Sequence, residues 1–190
     1  MIILASSSPR RRELLASAGY DFTVKVSEAQ EITSASDPKE LVVRNAKAKA
    51  FAVFDAEKPK EGVVLGADTV VVIDGSILGK PADDGEAFAM LKTLSGRAHA
   101  VMTGYCVIPP DGKAVCGAEE TKVFFRELTD GEIARYVATG EPRDKAGAYG
   151  IQEKGALLVE RVEGDFFNVV GLPLAAVGKT LSGFGILPEN

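Results

Sequence analysis

The stretch that most restricts the fold is Val63 to Ile73, which reads Val-Val-Leu-Gly-Ala-Asp-Thr-Val-Val-Val-Ile. A run so continuously apolar predicts a central strand covered on both faces. Asp68 and Thr69 fall in its middle. An unpaired carboxylate there is costly, so Asp68 is expected to be paired, metal-bound or opened to a cleft. Asp74-Gly75 is a type I′ hairpin signal. The returning segment, Ser76 to Pro81, brings Lys80 back alongside the strand, near Asp68 or Thr69.

The start of the chain poses a different problem. Ile2, Ile3 and Leu4 predict a short strand, followed by a serine loop and a helix with Ser8 as N-cap and Pro9 at the first position. Arg10, Arg11 and Arg12 then stand where the helix dipole is already positive, each at a cost of roughly 0.3–1 kcal/mol. An anion bound there reverses the sign, and strand, serine loop and arginine-rich helix start together make a phosphate cradle. A solvated basic helix end is the competing reading. Leu14, Leu15 and Ala18 mark the buried face of this helix, and Gly19 is its expected C-cap.

Further on, Phe22, Val24 and Val26 alternate as a half-buried strand, and the segment from Ser27 to Ser36, which holds Glu31, is a polar loop. Asp37-Pro38-Lys39-Glu40 starts a helix that runs to about Glu57. Lys47 and Lys49 both lie among its apolar positions, and helical spacing does not choose between them. Asp83 and Glu86 cap a third helix, with Ala87, Leu91 and Leu94 inward. Arg97 to Ile108 and Lys113 to Leu128 are extended and joined through Pro109-Pro110-Asp111-Gly112. His99, alternating with Val101 and Thr103, is expected to be a structural strand histidine. Thr129-Asp130-Gly131-Glu132 is a capping box opening a fourth helix, which presents Ile133, Tyr136 and Val137 inward and closes at Gly140. The charged, small-residue loop from Glu141 to Gln152 has no regular period and is of the kind that carries function. Ala156 to Val162 is expected as a strand, and Leu172-Pro173 opens a last helix ending at Gly183. Together these elements predict an α/β domain of mixed order.

Composition narrows the chemistry. A chain of 190 residues with 46% hydrophobic and 26% charged residues suits one globular domain with room for two lobes. It has no apolar run of membrane-spanning length and no secretory signal pattern at its start. The net charge of −5 argues against a general nucleic-acid surface and makes the local arginine cluster stand out. Cys106 and Cys116, ten apart and without a CxxC, are expected as core thiols in a reducing cytoplasm. With His99 as the only histidine, a metal would be held by carboxylates, which favours magnesium or manganese over zinc. A cationic loop, further lysines and a central carboxylate are the parts of a phosphoryl-transfer site. The chain has neither GxxxxGK[ST] nor a GxGxxG after a strand.

Five blocks then coincide. They are Leu4-Ala5-Ser6-Ser7-Ser8-Pro9-Arg10-Arg11, Gly66-Ala67-Asp68-Thr69-Val70-Val71, Leu78-Gly79-Lys80-Pro81, Gly140-Glu141-Pro142 with Asp144 to Gln152, and Gly164-Asp165 with Asn168 to Pro173. In this order, spread over nearly the whole chain, they resemble the Maf (septum-formation-inhibitor) family. The resemblance implies a nucleoside triphosphate pyrophosphatase with a two-lobed α/β fold related to the inosine triphosphatases. It also implies an active cleft between the lobes, a magnesium or manganese cofactor and a cytoplasmic homodimer, with no nucleic-acid or membrane partner. The block from Lys145 to Gln152 resembles the branch acting on dTTP and UTP rather than the one acting on 7-methyl-GTP.

In that branch the position matching Asp68 is the proton acceptor, and those matching Arg10, Thr69 and Gln152 tune substrate choice. Positions matching Ser6, Ser8, Arg11, Lys49 and Lys80 line the phosphate path, with Glu31 and Asp68 near the metal. The family pattern thus selects Lys49 over Lys47 and leaves Arg12 at the surface. Two departures stand out: Glu153 where a glycine commonly follows the glutamine, and Gln30 where an acidic residue often precedes the glutamate. The implied reaction is attack of water on the α-phosphorus with pyrophosphate leaving. Its implied roles are housecleaning of modified pyrimidine nucleotides and an influence on cell division. A nucleotide-binding regulator of division and a purine-directed triphosphatase remain as alternative readings.

Overall fold

In the computed structural model, which describes residues 1–189, the apolar run forms one unbroken strand, β3 (Val63–Ile73). Before it come β1 (Ile2–Leu4), α1 (Pro9–Ser17), β2 (Phe22–Val24) and α2 (Pro38–Glu57). After it come β4 (Ser76–Leu78), α3 (Asp84–Leu94), β5 (Ala98–Ile108), β6 (Val115–Phe125) and α4 (Asp130–Val137). Three 3-10 segments follow (Glu141–Asp144, Ala146–Ala148 and Glu153–Leu158), then β7 (Val159–Glu163), α5 (Phe166–Val170) and α6 (Leu174–Gly183). The strands make a seven-stranded mixed sheet in the order β2-β1-β3-β5-β6-β7, with β4 paired to β3. β1 is parallel to both neighbours and places Ile2, Ile3 and Leu4 level with Val63, Val64 and Leu65. The α/β class is the one expected. No helix among the described residues is long and apolar enough to cross a membrane.

The chain divides into two compact units. The first is Met1–Asp68, Thr103–Glu119 and the chain from Gly171 onward; the second is Thr69–Met102 and Glu120–Val170. In the first unit Ile3, Ala5, Ala46, Ala50, Val53, Val64, Cys106 and Ile108 form a buried cluster. In the second, the inward faces of α3 and α4 (Ala87, Leu91, Leu94, Ile133, Tyr136 and Val137) pack with Val71, Val123 and Phe125.

Local signals place most ends where their chemistry demands. Asp37 accepts from the Lys39 amide at 2.9 Å, Asp83 from the Glu86 amide at 2.8 Å, and Thr129 and Glu132 form the reciprocal capping box. Asp74 and Gly75 take φ of 50° and 75°, as a type I′ turn requires. Four expectations are corrected. β2 stops at Val24 and Val26 is exposed. Ser8 holds the N-cap position of α1 without a side-chain cap bond, whereas Gly19, at φ 75°, ends that helix as a left-handed glycine, as expected. Ala156 to Leu158 belong to a 3-10 segment, so β7 begins only at Val159. Cys106 and Cys116 are not separate thiols but a disulfide. The turn after Ile108 sends the chain back, so residues ten apart in sequence meet on β5 and β6, which pair in the sheet.

His99 is structural, as expected. It is buried, its Nε2 lies 2.7 Å from the Tyr149 hydroxyl, and its ring meets Phe125 edge-on at 5.0 Å. Nδ1 has no hydrogen-bond partner among the described residues. Burial therefore pulls the imidazole pKa down from 6.5 to about 4. The unfolded chain binds this proton more readily than the folded one. The contribution to stability is thus complete above the unfolded value and is lost as pH falls from 6.5 toward 4, by up to about 3 kcal/mol. Urea titrations across that window should show stability falling with pH, and a His99→Asn variant should show a flatter slope.

Candidate active site

Gly66 and Asp68 are two apart on β3 and so share one face of the sheet. Helix α2 lies against that face at close range. A Cβ on Gly66 would collide with the Ala46 carbonyl oxygen and come within 2.8 Å of the Ala50 nitrogen. Gly104 on β5 serves the same contact, since a Cβ there would collide with the Val42 carbonyl. With Ala46 and Ala50 seated on the strand, their helical neighbours Asn45 and Lys49, one turn apart, are aimed at the next residue of that face. That residue is Asp68.

Asp68 is 8% exposed, and each of its carboxylate oxygens has a donor. Lys49 Nζ donates to Oδ1 at 2.7 Å, and Asn45 Nδ2 donates to Oδ2 at 2.9 Å. Lys49 also reaches Glu31 Oε1 at 2.6 Å and so bridges the two carboxylates. Lys47 is exposed and lies over the Phe51 ring at 5.7 Å, so of the two lysines it is Lys49 that faces Asp68. Asp68 is therefore paired, one of the expected outcomes. Sequence reasoning missed Asn45, although an asparagine inside an alanine-rich helix, one turn before a lysine, is a signal of a polar contact.

The serine–arginine loop is built around Arg11. This residue is 9% exposed; its Nε donates to the Gly171 carbonyl at 2.8 Å and its Nη1 to Ser6 Oγ at 3.1 Å. The Ser8 amide donates to the same Ser6 oxygen at 3.3 Å, closing the turn into α1. Burial pulls the Arg11 pKa below its ordinary value; Asp68 raises it, Arg10 lowers it and Glu31 raises it again. A guanidinium keeps its proton under such opposing influences, so Arg11 is a permanent buried cation whose field includes both carboxylates. Arg12 is exposed and Arg10 half-buried. Of the expected residues, the structure thus brings together Ser6 and Ser8 on the loop with Arg11 at the start of α1, and Glu31 and Asp68 around Lys49 on α2.

Thr69, Lys80 and Gln152 belong to the second unit. The β3–β4 register, Val71 opposite Leu78, would set Lys80 level with Thr69 if continued two residues past the last pair; Lys80 is exposed. The Gln152 loop, expected without regular period, contains two short 3-10 turns and is pinned by groups the sequence did not reveal as functional. Tyr136 Oη donates to Glu141 Oε1 at 2.9 Å and accepts from the Gly150 amide at 3.2 Å, while the Gly155 amide also donates to Glu141 Oε1 at 3.2 Å. Burial raises the Tyr136 pKa, which keeps the phenol a donor. Glu153 sits at φ 54°, in the left-handed region that favours glycine, so the glutamate holds a backbone conformation that costs it more than it would cost a glycine.

A permanent cation beside two carboxylates and a serine turn, carried on an α/β sheet, defines a site suited to a phosphorylated ligand. The family model described as Maf-like protein matches residues 1–184, and the chain belongs to that family. A dTTP/UTP pyrophosphatase of Thermococcus gammatolerans is 52% identical over 188 residues, covering 98% of this chain and 99% of the relative. One of the same name from Pyrococcus furiosus is 53% identical over 181 residues, covering 95% and 93%. A solved nucleoside-triphosphatase / dITP/XTP pyrophosphatase of Mycobacterium abscessus is 16% identical over 67% of this chain and 74% of its own, with a TM-score of 0.42.

The close contact at Gly66 is directly testable. Gly66→Ala should lower stability in urea unfolding by about 1–3 kcal/mol, as overpacking does. Gly183→Ala, where a Cβ meets nothing within 4 Å, should leave stability unchanged or raise it.

Proposed function

We propose that this chain is a nucleoside triphosphate pyrophosphatase that hydrolyses dTTP and UTP to the monophosphate and pyrophosphate. The observation that carries the reading is Asp68, a carboxylate in the middle of an apolar strand with one oxygen on Lys49 and the other on Asn45. Burial of that kind is costly and has no role in packing. The full-length relatives described above, about half identical in sequence, carry the name of this activity.

Among the described residues no cluster of three or more His, Cys, Asp or Glu could hold a metal unaided. Glu31 and Asp68 nevertheless suit magnesium or manganese, since such ions take one or two protein carboxylates and complete their shell with water and substrate phosphates. The Lys49 ammonium lies 2.6 and 2.7 Å from the two carboxylates, so both face one positive charge, which supports this reading. When bound, the ion would neutralise phosphate charge and make water more acidic.

In the proposed reaction Asp68 orients a water and accepts its proton. The water oxygen bonds to the α-phosphorus, the bond from that phosphorus to the bridging oxygen breaks, and its electron pair leaves on pyrophosphate. Arg10, Arg11, Lys49 and Lys80 stabilise the triphosphate and the departing charge. Ser6 and Ser8 line the phosphate path. Gln152, whose amide offers both donor and acceptor, selects a pyrimidine edge together with Thr69 and Arg10. We place the enzyme in the cytoplasmic nucleotide pool, as a homodimer that also removes modified pyrimidine nucleotides.

The test is a nucleotide panel with magnesium or manganese, assaying pyrophosphate separately from orthophosphate. Pyrophosphate should be released from dTTP and UTP. Asp68→Asn should slow this about 100- to 10,000-fold, the range for loss of a proton acceptor, while Arg12→Ala should have no effect. Tight binding without turnover, or a preference for ITP or 7-methyl-GTP, would contradict the proposal.

A further inference from the structure

We infer that Asn45 is a positioning residue that holds Asp68 and the Glu31 segment in one fixed arrangement. This rests on the activity proposed above. Asparagine is a poor choice for a helix interior, and Asn45, 2% exposed, sits well inside α2 with its side chain turned to β3. Its amide makes three hydrogen bonds. Oδ1 accepts from the Ile32 amide at 2.8 Å, while Nδ2 donates to the Ile32 carbonyl at 2.9 Å and to Asp68 Oδ2 at 2.9 Å.

Two consequences follow from the chemistry of a primary amide. First, the pair of bonds to Ile32 is the kind one strand makes with another, supplied here by a side chain. Ile32 follows Glu31 in a segment that belongs to no helix or strand, so the clamp fixes the backbone from which the Glu31 carboxylate projects. Second, the amide can face only one way. Turned over, it would set an oxygen against Asp68 Oδ2 and an NH2 against the Ile32 amide. In the observed orientation Asp68 is held by Asn45 on one oxygen and by Lys49 on the other, which fixes the plane of the carboxylate. Lys49 links the same two carboxylates by charge; Asn45 links them by direction.

Two variants separate these contributions. Asn45→Leu fills a similar volume without polar groups. Asn45→Asp keeps an acceptor for the Ile32 amide but loses both donations and sets a second carboxylate against Asp68. For pyrophosphate release from dTTP, Asn45→Leu should lower kcat about 10- to 100-fold with KM changed less than about threefold, as small misplacements of catalytic groups do. In the same variant the Ile32 amide should exchange with solvent markedly faster by NMR. Asn45→Asp should keep that amide protected yet lose kcat at least as far, and it carries the test if Asn45→Leu does not fold.

A kcat within about twofold of the parent in either folded variant would overturn the inference. So would an unchanged Ile32 exchange rate in Asn45→Leu. A parent protein that releases no pyrophosphate would instead overturn the proposed activity, and the exchange measurement would still report on the clamp.

Discussion

The bridge from Glu31 through Lys49 to Asp68 depends on how near α2 comes to β3. A carboxylate in the centre of an apolar strand is tolerable only if its partners reach it, and they reach it because Gly66 has no Cβ to hold the helix away. The order of dependence runs outward from there. Gly66 admits Ala46 and Ala50, these seat the helix, and the helix then aims Asn45 and Lys49 at the next residue on the same strand face. The inner half of the bridge is nearly buried, with side chains 13% and 11% exposed. Removing one partner of such a pair typically costs about 3–5 kcal/mol, because the other charge is left alone in a poor solvent. The outer half, to a Glu31 side chain 52% exposed, contributes much less to stability. Its interest lies in gathering a second carboxylate beside the first.

The arginine loop obeys the same logic with the sign reversed. Three cations at a helix N-terminus are unfavourable as a group, and the structure gives them different roles. Arg12 turns to solvent, while Arg11 is drawn inside, where the Gly171 carbonyl and the Ser6 hydroxyl accept from it. Its buried charge is offset by Asp68 and Glu31. Arg11 thus supports the loop through its own hydrogen bonds, a role that the sequence pattern did not suggest.

What was legible in the sequence was local or periodic. The unbroken apolar run specified β3, short-range caps at Asp37, Asp83 and Thr129 specified three helix starts, and Asp74-Gly75 specified the hairpin. Asp68 could be singled out because burying a charge is expensive wherever the strand lies. What was not legible depended on contacts between distant segments. The peptide of Ile32 meets Asn45 across a loop, and Tyr136, expected only as a core residue of α4, anchors the Gln152 loop through Glu141. The two cysteines pair because strands return, which no local motif records. Lys47 and Lys49 were indistinguishable by spacing because both flank the apolar stripe; the family pattern selected Lys49, and in the structure it is Lys49 that reaches Asp68 on β3.

In the proposed reaction water activated at Asp68 attacks the α-phosphorus. Hydrolysis of dTTP in water enriched in oxygen-18 tests it most directly, with the two products separated and their isotope content measured by mass spectrometry. A single labelled oxygen in the thymidine monophosphate, with none in the pyrophosphate, is the predicted result. Label in the pyrophosphate would mean attack at the β-phosphorus and would contradict the account.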